Sequence, residues 1–249
     1  MFELLEPIRV NRLKDEFIGR FENLILSGEI QIGQKLPSER DLASRLGVSR
    51  PVVHEGLLEL AAKGLVTMKS RAGAEVNDYR RQGSLPLISS LLEYGEGRLD
   101  RHLLESIVQF RSLLESPFAR LAAKNRSEEQ LAELESIVAR ERSTDRARKD
   151  SIVALDFEFH LLVSLASGNL VFPLLINSFK QVYTNLTGQF FEIPDVIQAV
   201  HDFHEQLLVA IKQRDPDRAE RVMNEMLAHG ETMLTAMLDS QDIGRAASE

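Results

Sequence analysis

The spacing of apolar side chains predicts a helix over Leu13–Leu26, with Phe17, Phe21, Leu24 and Ile25 on one face. Gly28 ends it, and a short turn leads to Pro37. Ser38 heads a Ser-Glu-Arg-Asp run, a capping-box-like start in which its hydroxyl accepts from the amide near Asp41. Leu42, Ala43 and Leu46 form the buried side of this short helix, and Gly47 breaks it. Ser49 caps the next helix, with Pro51 in its first turn, where a missing N–H costs nothing. Val53, Leu57, Leu60 and Ala61 face inward there, and Gly64 stops the helix. Beyond it LVTM and AEVN read as two short strands around the loop Lys69–Gly73. Helix, helix, tight turn, helix, hairpin is the order of a winged helix-turn-helix.

From residue 84 onward the pattern is helical throughout. LPLISSLLEYG makes a short helix, and Leu99–Lys124 a long one with a kink expected at Pro117. SEEQ at 127–130 is a second capping box, opening an amphipathic helix to about Arg142. After the charged connector STDRARKD, helices follow at about 151–167, 170–190, 195–213 and 216–239. Helices of this length joined by short turns pack as antiparallel neighbours. The expected fold class is therefore mainly α: an N-terminal winged helix-turn-helix with a small β wing over 1–78, then an all-α antiparallel helical bundle over 79–239. Residues 240–249 are expected to fray.

Composition sharpens this picture. The 249 residues are 43% hydrophobic, enough for two cores, and no apolar run reaches the roughly 18 residues of a membrane span. The N-terminus lacks an apolar signal core. The absence of cysteine excludes disulfides, thiolate zinc sites and thiol nucleophiles, and fits a reducing, cytoplasmic setting. A net charge of −8 argues against nucleic acid until it is divided along the chain. Residues 1–77 hold 11 basic and 11 acidic side chains, whereas 78–249 hold 19 and 27. Within 35–71 the basic residues lead, 7 to 4, so positive charge gathers on the helix-turn-helix.

That segment carries the chemistry of groove recognition. A second helix opening with Ser49 and Arg50 presents unpaired amides and its positive dipole to a phosphate or groove edge. Arg40, Arg45 and Arg50 are rigid planar donors suited to phosphate and guanine. Lys69 and Arg71 sit at the wing. The run LPSERDLASRLGVSRPVVHEGLLELAAKGLVTMKSRAGAEV over 36–76 resembles the winged helix-turn-helix of the GntR family of bacterial transcription regulators. The resemblance implies double-stranded DNA as partner, with Ser49, Arg50, Val52 and His54 of the second helix at the groove. His54 stands where family members usually carry Arg, and Arg71 where they carry Gly.

The C-terminal half resembles the FCD ligand-binding domain of the FadR subfamily, through QFRSLLESPFARLAAKN, DFEFHLLVSLASGN and HEQLLVAIKQRDPDRAERVM. That resemblance implies a homodimer and a bundle cavity for a small carboxylic acid, often bound through a divalent metal held by one Asp and three His. Asp156 and His160, spaced i, i+4, share a helix face, and His204 lies on the stripe Val200, Leu207, Leu208, Ile211. These three donors suit Zn, Ni or Mn, or else form a hydrogen-bonded polar network without metal. Matching Asp215, Ala219 and Met223 puts Met226 at the family's last histidine, with His229 three residues on as a substitute. Arg111 falls on the stripe Leu104, Ile107, Val108, Leu114, Phe118 and needs an anion there, either an internal acid or a ligand carboxylate. Asn169 reads as a helix cap, and the methionines near 223–237 as adaptable packing.

The function expected is a ligand-responsive regulator, a repressor that binds an inverted-repeat operator as a homodimer. Its effector is a small organic acid, metal-bound, or alternatively a long-chain acyl-CoA without metal. A hydrolase built on the Asp/His site lacks a general base beside it, and an architectural DNA-binding protein has no use for Arg111 on an apolar stripe.

Overall fold

A computed structural model of the chain describes residues 11–69, 73–94 and 100–246. Its elements fall into two units, 1–98 and 99–249. In the first, α1 (Asn11–Leu26), α2 (Glu39–Leu46) and α3 (Arg50–Ala62) precede a hairpin of β1 (Val66–Lys69) and β2 (Gly73–Val76). The strands are antiparallel, with Val66 opposite Val76 and Lys69 opposite Gly73, and Lys35 bridges to Glu75 beside them. Phe17 and Phe21 pack at 4.5 Å between ring centroids, and with Ile18, Ile25, Leu42, Val53, Leu57 and Leu60 they build the core. Leu24, Leu46 and Ala61, expected inside, are only half-buried, and on α1 the buried arc takes in Ile18 instead of Leu24.

The caps explain where these helices begin and end. Ser38 Oγ accepts from the Asp41 amide at 3.2 Å and donates to its carboxylate at 2.7 Å. Gly47, at φ 68°, closes α2 in the left-handed region. Ser49 occupies the N-cap position of α3, yet its side chain makes no capping bond, contrary to expectation.

Two elements shift the expected boundary. The short α4 (Tyr79–Gln82) and α5 (Leu87–Glu93) lie with the first unit, so it extends to 98 where the sequence pattern suggested 78. Leu87 enters the core, and the buried Glu22 carboxylate accepts from Lys63 Nζ at 2.6 Å and Ser90 Oγ at 2.9 Å. One acid thus ties α1, α3 and α5. Gly64, at φ 78°, lets α4 approach: a Cβ there would stand 2.0 Å from the Gln82 carbonyl oxygen.

The second unit holds α6 (Arg101–Asn125), α7 (Glu128–Ser143), α8 (Lys149–Ala166), α9 (Phe172–Ser178), α10 (Lys180–Phe190), α11 (Val196–Lys212) and α12 (Pro216–Ala246). Ser127 and Gln130 complete the expected capping box of α7. Asn169 Oδ1 accepts from the Val171 amide at 2.8 Å, just ahead of α9. The single helix expected at 170–190 is two helices meeting at Phe179, with neither Gly nor Pro at the break. The last helix runs to Ala246, past the fraying expected from 240. Pro117 lies within α6, whose length packs along α12. Phe118, Phe159, Leu134, Leu207, Ile211 and Met223 are buried at the centre. No helix among the described residues is long and apolar enough to cross a membrane.

Gly28 and Gly64 both need positive φ, but only Gly64 faces a neighbouring backbone. Chemical denaturation should therefore show Gly28→Ala losing about 1 kcal/mol and Gly64→Ala about 3 kcal/mol or more. Equal losses would mean that α4 does not rest against Gly64.

Candidate functional site

On the first unit Arg40, Arg45, Ser49, Arg50 and His54 are exposed on α2 and at the start of α3. Because Ser49 leaves the first turn of α3 uncapped by a side chain, its amides stay open to an anion. Arg40 Nε lies 3.9 Å from Asp41 Oδ1, and His54 Nδ1 lies 2.7 Å from Glu39 Oε1. Lys69 Nζ contacts Glu75 Oε2 at 2.5 Å, and that ion pair holds the Glu75 carboxyl below its ordinary value. One expectation changes here, and another falls outside the described residues. Val52 is 6% exposed and has no surface to offer a groove, since the turn of α3 that displays Arg50 and His54 points it inward. Arg71 lies outside the described residues.

In the second unit, Asp156 and His160 on α8 meet His204 on α11, with potential ligand atoms within 4.8 Å of one another and all three side chains buried. Each donor is held from behind. His204 Nδ1 bonds Glu141 Oε1 of α7 at 2.8 Å, and Asp156 Oδ2 accepts from the Tyr183 hydroxyl of α10 at 2.7 Å. His160 Nδ1 lies 2.5 Å from Glu115 Oε2 of α6 without the alignment of a hydrogen bond. Phe159 stacks on His204 at 3.9 Å between centroids.

Arg111 finds the internal acid that its position demanded. Its Nε donates to Glu115 Oε1 at 2.5 Å, and its guanidinium covers the Tyr183 ring at 4.5 Å. Glu115 is fully buried between Arg111 and His160. Burial alone would raise its pKa, but those two partners overcome it and hold the carboxyl at about 2, against an ordinary 4.5. Burial works against the charged form of His204, yet Glu141 and Asp156 win and shift it upward. Tyr183 is pushed well up, by burial first and then by Asp156, so it remains a neutral donor.

These residues suit a divalent cation. Glu141 holds Nδ1 of His204 and leaves Nε2 buried, without a hydrogen-bond partner, 3.7 Å from Asp156 Oδ1. A carboxylate behind an imidazole is the arrangement that orients histidine toward a metal. Among the described residues the set stops at three. Met226 lines the adjoining cavity, whereas His229 packs beside Phe203 and Phe190 and is not among the clustered donors. Its place on α12, one turn past Met226, keeps it away.

The cavity beside these donors has a volume of about 50 Å³. Arg111, Asp156, His160 and Tyr183 form its polar side, and Leu104, Val108, Phe190 and Leu234 its apolar wall. A second, almost wholly apolar cavity of about 20 Å³ shares Ile107, Arg111, Tyr183 and Leu186 with it. Sequence reasoning missed Glu115, Glu141, Tyr183 and His201. The first was legible as the i+4 neighbour of Arg111, and the second as an acid on the stripe Leu131, Leu134, Val138. His201 is buried one turn before His204 with an unpartnered Nε2, and burial lowers its pKa.

Residues 13–76 match the family model described as bacterial regulatory proteins, gntR family, and residues 106–229 match the FCD domain. The HTH-type transcriptional regulator Mce2R of Mycobacterium tuberculosis is 34% identical over 95% of this chain and 98% of its own length. A fatty acid metabolism regulator protein of Proteus mirabilis is 26% identical over 80% of this chain and 79% of its own. In fold, the chain is similar to the Lar regulator that controls the agr system of Listeria monocytogenes, at a TM-score of 0.64 and 16% identity over 92% of this chain and 98% of that one. These families and relatives are regulators, not enzymes.

Folding lowers the pKa of Glu115, so its carboxylate stabilises the fold above pH 4.5 and that stabilisation fades as pH falls toward about 2. Glu115→Gln strands a buried guanidinium and should cost about 3–5 kcal/mol at pH 7. The variant's loss of stability in acid should then be shallower than that of the parent. Parallel acid profiles from denaturant unfolding would contradict the placement of Glu115.

Proposed function

The chain belongs to the GntR family of bacterial regulatory proteins and carries an FCD domain, and on that premise we propose a repressor switched by a small organic acid. It binds an inverted-repeat operator as a homodimer, each copy contributing one recognition helix. The observation that carries the effector reading is one cavity wall bearing the Arg111 guanidinium together with Asp156 and His160, which His204 joins from behind that wall.

Arg111 donates Nε and Nη2 to Glu115 and Nη2 also to the Tyr183 hydroxyl, which leaves Nη1 for an incoming carboxylate. Asp156, His160 and His204 would hold Zn, Ni or Mn, and a bound divalent ion would supply a Lewis-acidic anchor for the effector's oxygens. Glu141 keeps His204 turned toward that position, and the apolar wall removes competing water. The polar groups come from α6, α7, α8, α10 and α11, so an effector that bonds to several of them favours one spacing of five helices. Release of DNA then requires a differential affinity between two spacings, typically about 1–3 kcal/mol.

A second reading, a long-chain acyl-CoA bound without metal, is supported by the adjoining apolar cavity and by the relatives named fatty acid metabolism regulators.

Thermal unfolding distinguishes them. Saturating Zn, Ni or Mn at about 100 times Kd should add about 2.7 kcal/mol of stability, reversed by a chelator and absent in His204→Ala. A panel of short carboxylic acids should then add a further shift that Arg111→Gln abolishes. Stabilisation by acyl-CoA regardless of chelator would replace the first reading with the second, and indifference to both would end the effector proposal.

A further inference from the structure

The bond between Glu39 and His54 joins the two helices that form the DNA-reading face. Glu39 opens α2, and His54 lies one turn after Arg50 on α3. Their contact is 2.7 Å, between Glu39 Oε1 and His54 Nδ1. Half of the His54 side chain is exposed, while Glu39 is 27% exposed. The carboxylate is an acceptor only, so the proton of this bond sits on Nδ1. The free edge of the ring is therefore Nε2, and its character depends on the ring's charge. In neutral imidazole Nε2 accepts, whereas in imidazolium it donates.

DNA presents mainly acceptors to such an edge. Phosphate oxygens, guanine O6 and N7, adenine N7 and thymine O4 all accept, and only the exocyclic amines of adenine and cytosine donate. The neighbouring Arg50 presents a cation to the same face. Resting on the reading of α3 as the DNA-contacting helix, we propose that His54 engages DNA as an imidazolium. Nδ1–H stays on Glu39 and Nε2–H donates to a guanine edge or a phosphate, so operator binding takes up one proton. Glu39 is a positioning residue that fixes the ring and balances its charge while DNA occupies the other nitrogen.

Among the described residues, further charged groups lie on the elements packed here, with Asp15, Glu16 and Arg20 on α1. On α2, Arg40 lies beside Asp41, which also bonds Ser38, and Arg45 ends the helix. On α3, Arg50 and Glu55 flank His54 in sequence, and Glu59 pairs with Lys14 of α1. On β1, Lys69 is held by Glu75. Neither Leu57 nor Leu58, the following neighbours of His54 along its helix, titrates.

The probe is a duplex enriched from a random-sequence double-stranded pool by the full-length protein. Its affinity is then measured at constant ionic strength between about pH 6 and pH 8, since phosphate contacts make binding salt-dependent. For the parent protein the affinity should fall with rising pH, approaching about tenfold per unit where one proton is taken up. His54→Arg, cationic throughout, should lose that slope whatever its affinity. Glu39→Gln should weaken binding most at high pH and recover toward the parent at low pH, which a merely structural role would not produce. Equal slopes in the parent and His54→Arg overturn the proposal while leaving DNA binding intact. Failure to enrich any duplex would overturn the DNA-binding reading itself.

Discussion

A carboxylate taken out of water must find its counter-charge and hydrogen bonds where it lies, and both units are organised by that requirement. Among the described residues Glu22, Glu115, Glu141 and Asp156 are buried. Each draws side chains from separate helices. Glu22 binds Lys63 and Ser90, joining α1 to α3 and α5. Glu115 sits between Arg111 and His160, Glu141 holds His204, and Asp156 takes the Tyr183 hydroxyl. Apolar packing brings these helices together without fixing their rotation. The buried acids do fix it, because a guanidinium or imidazole displaced by an ångström or two forfeits its partner.

The same requirement shapes the electrostatics of the buried polar cluster in the second unit. Glu115, Glu141 and Asp156 oppose one guanidinium, Arg111, an imbalance that favours positive charge on His204 or a divalent cation beside it. The upward shift of His204 is the protein's internal answer to that imbalance. A centre built this way is not an inert core. Three of its polar side chains, Arg111, Asp156 and His160, border open space, where an anion or cation changes the local balance.

Most of the helical order was legible because helix periodicity and punctuation agreed. Ser38, Gly47, Ser127 and Gly64 mark ends that local chemistry enforces. The break at Phe179 was invisible, since neither residue type nor spacing signals it and the packing of α9 and α10 against α8 decides it. The boundary near 98 was hidden for a related reason. Nothing in LPLISSLLEYG says which core its Leu87 enters, and that depends on Ser90 meeting Glu22 across 68 positions. At the site, the i, i+4 pair Asp156–His160 and the lone Arg111 stood out as polar groups on apolar stripes. Their partners from other helices, Tyr183 and Glu141, required the fold. Val52 was misplaced because membership of a recognition helix does not say which side of it faces the core.

On the DNA-facing surface the cations are restrained by local acids. Arg40 has Asp41, His54 has Glu39, and Lys69 has Glu75, so the first 77 residues carry no net charge although basic residues dominate from 35 to 71. Non-specific affinity for duplex DNA grows with the number of phosphates neutralised, and a surface of self-paired cations keeps that term small. A contact made through Arg40, His54 or Lys69 would then exchange or share a partner already present, an exposed pair worth at most about 1 kcal/mol. Only a sequence that satisfies several of these side chains together recovers those losses. Net neutrality, which looks unsuited to a nucleic-acid partner, is on the proposed reading a source of discrimination: it would weaken binding to the phosphate backbone alone relative to a sequence that engages Arg50, His54 and the start of α3 together.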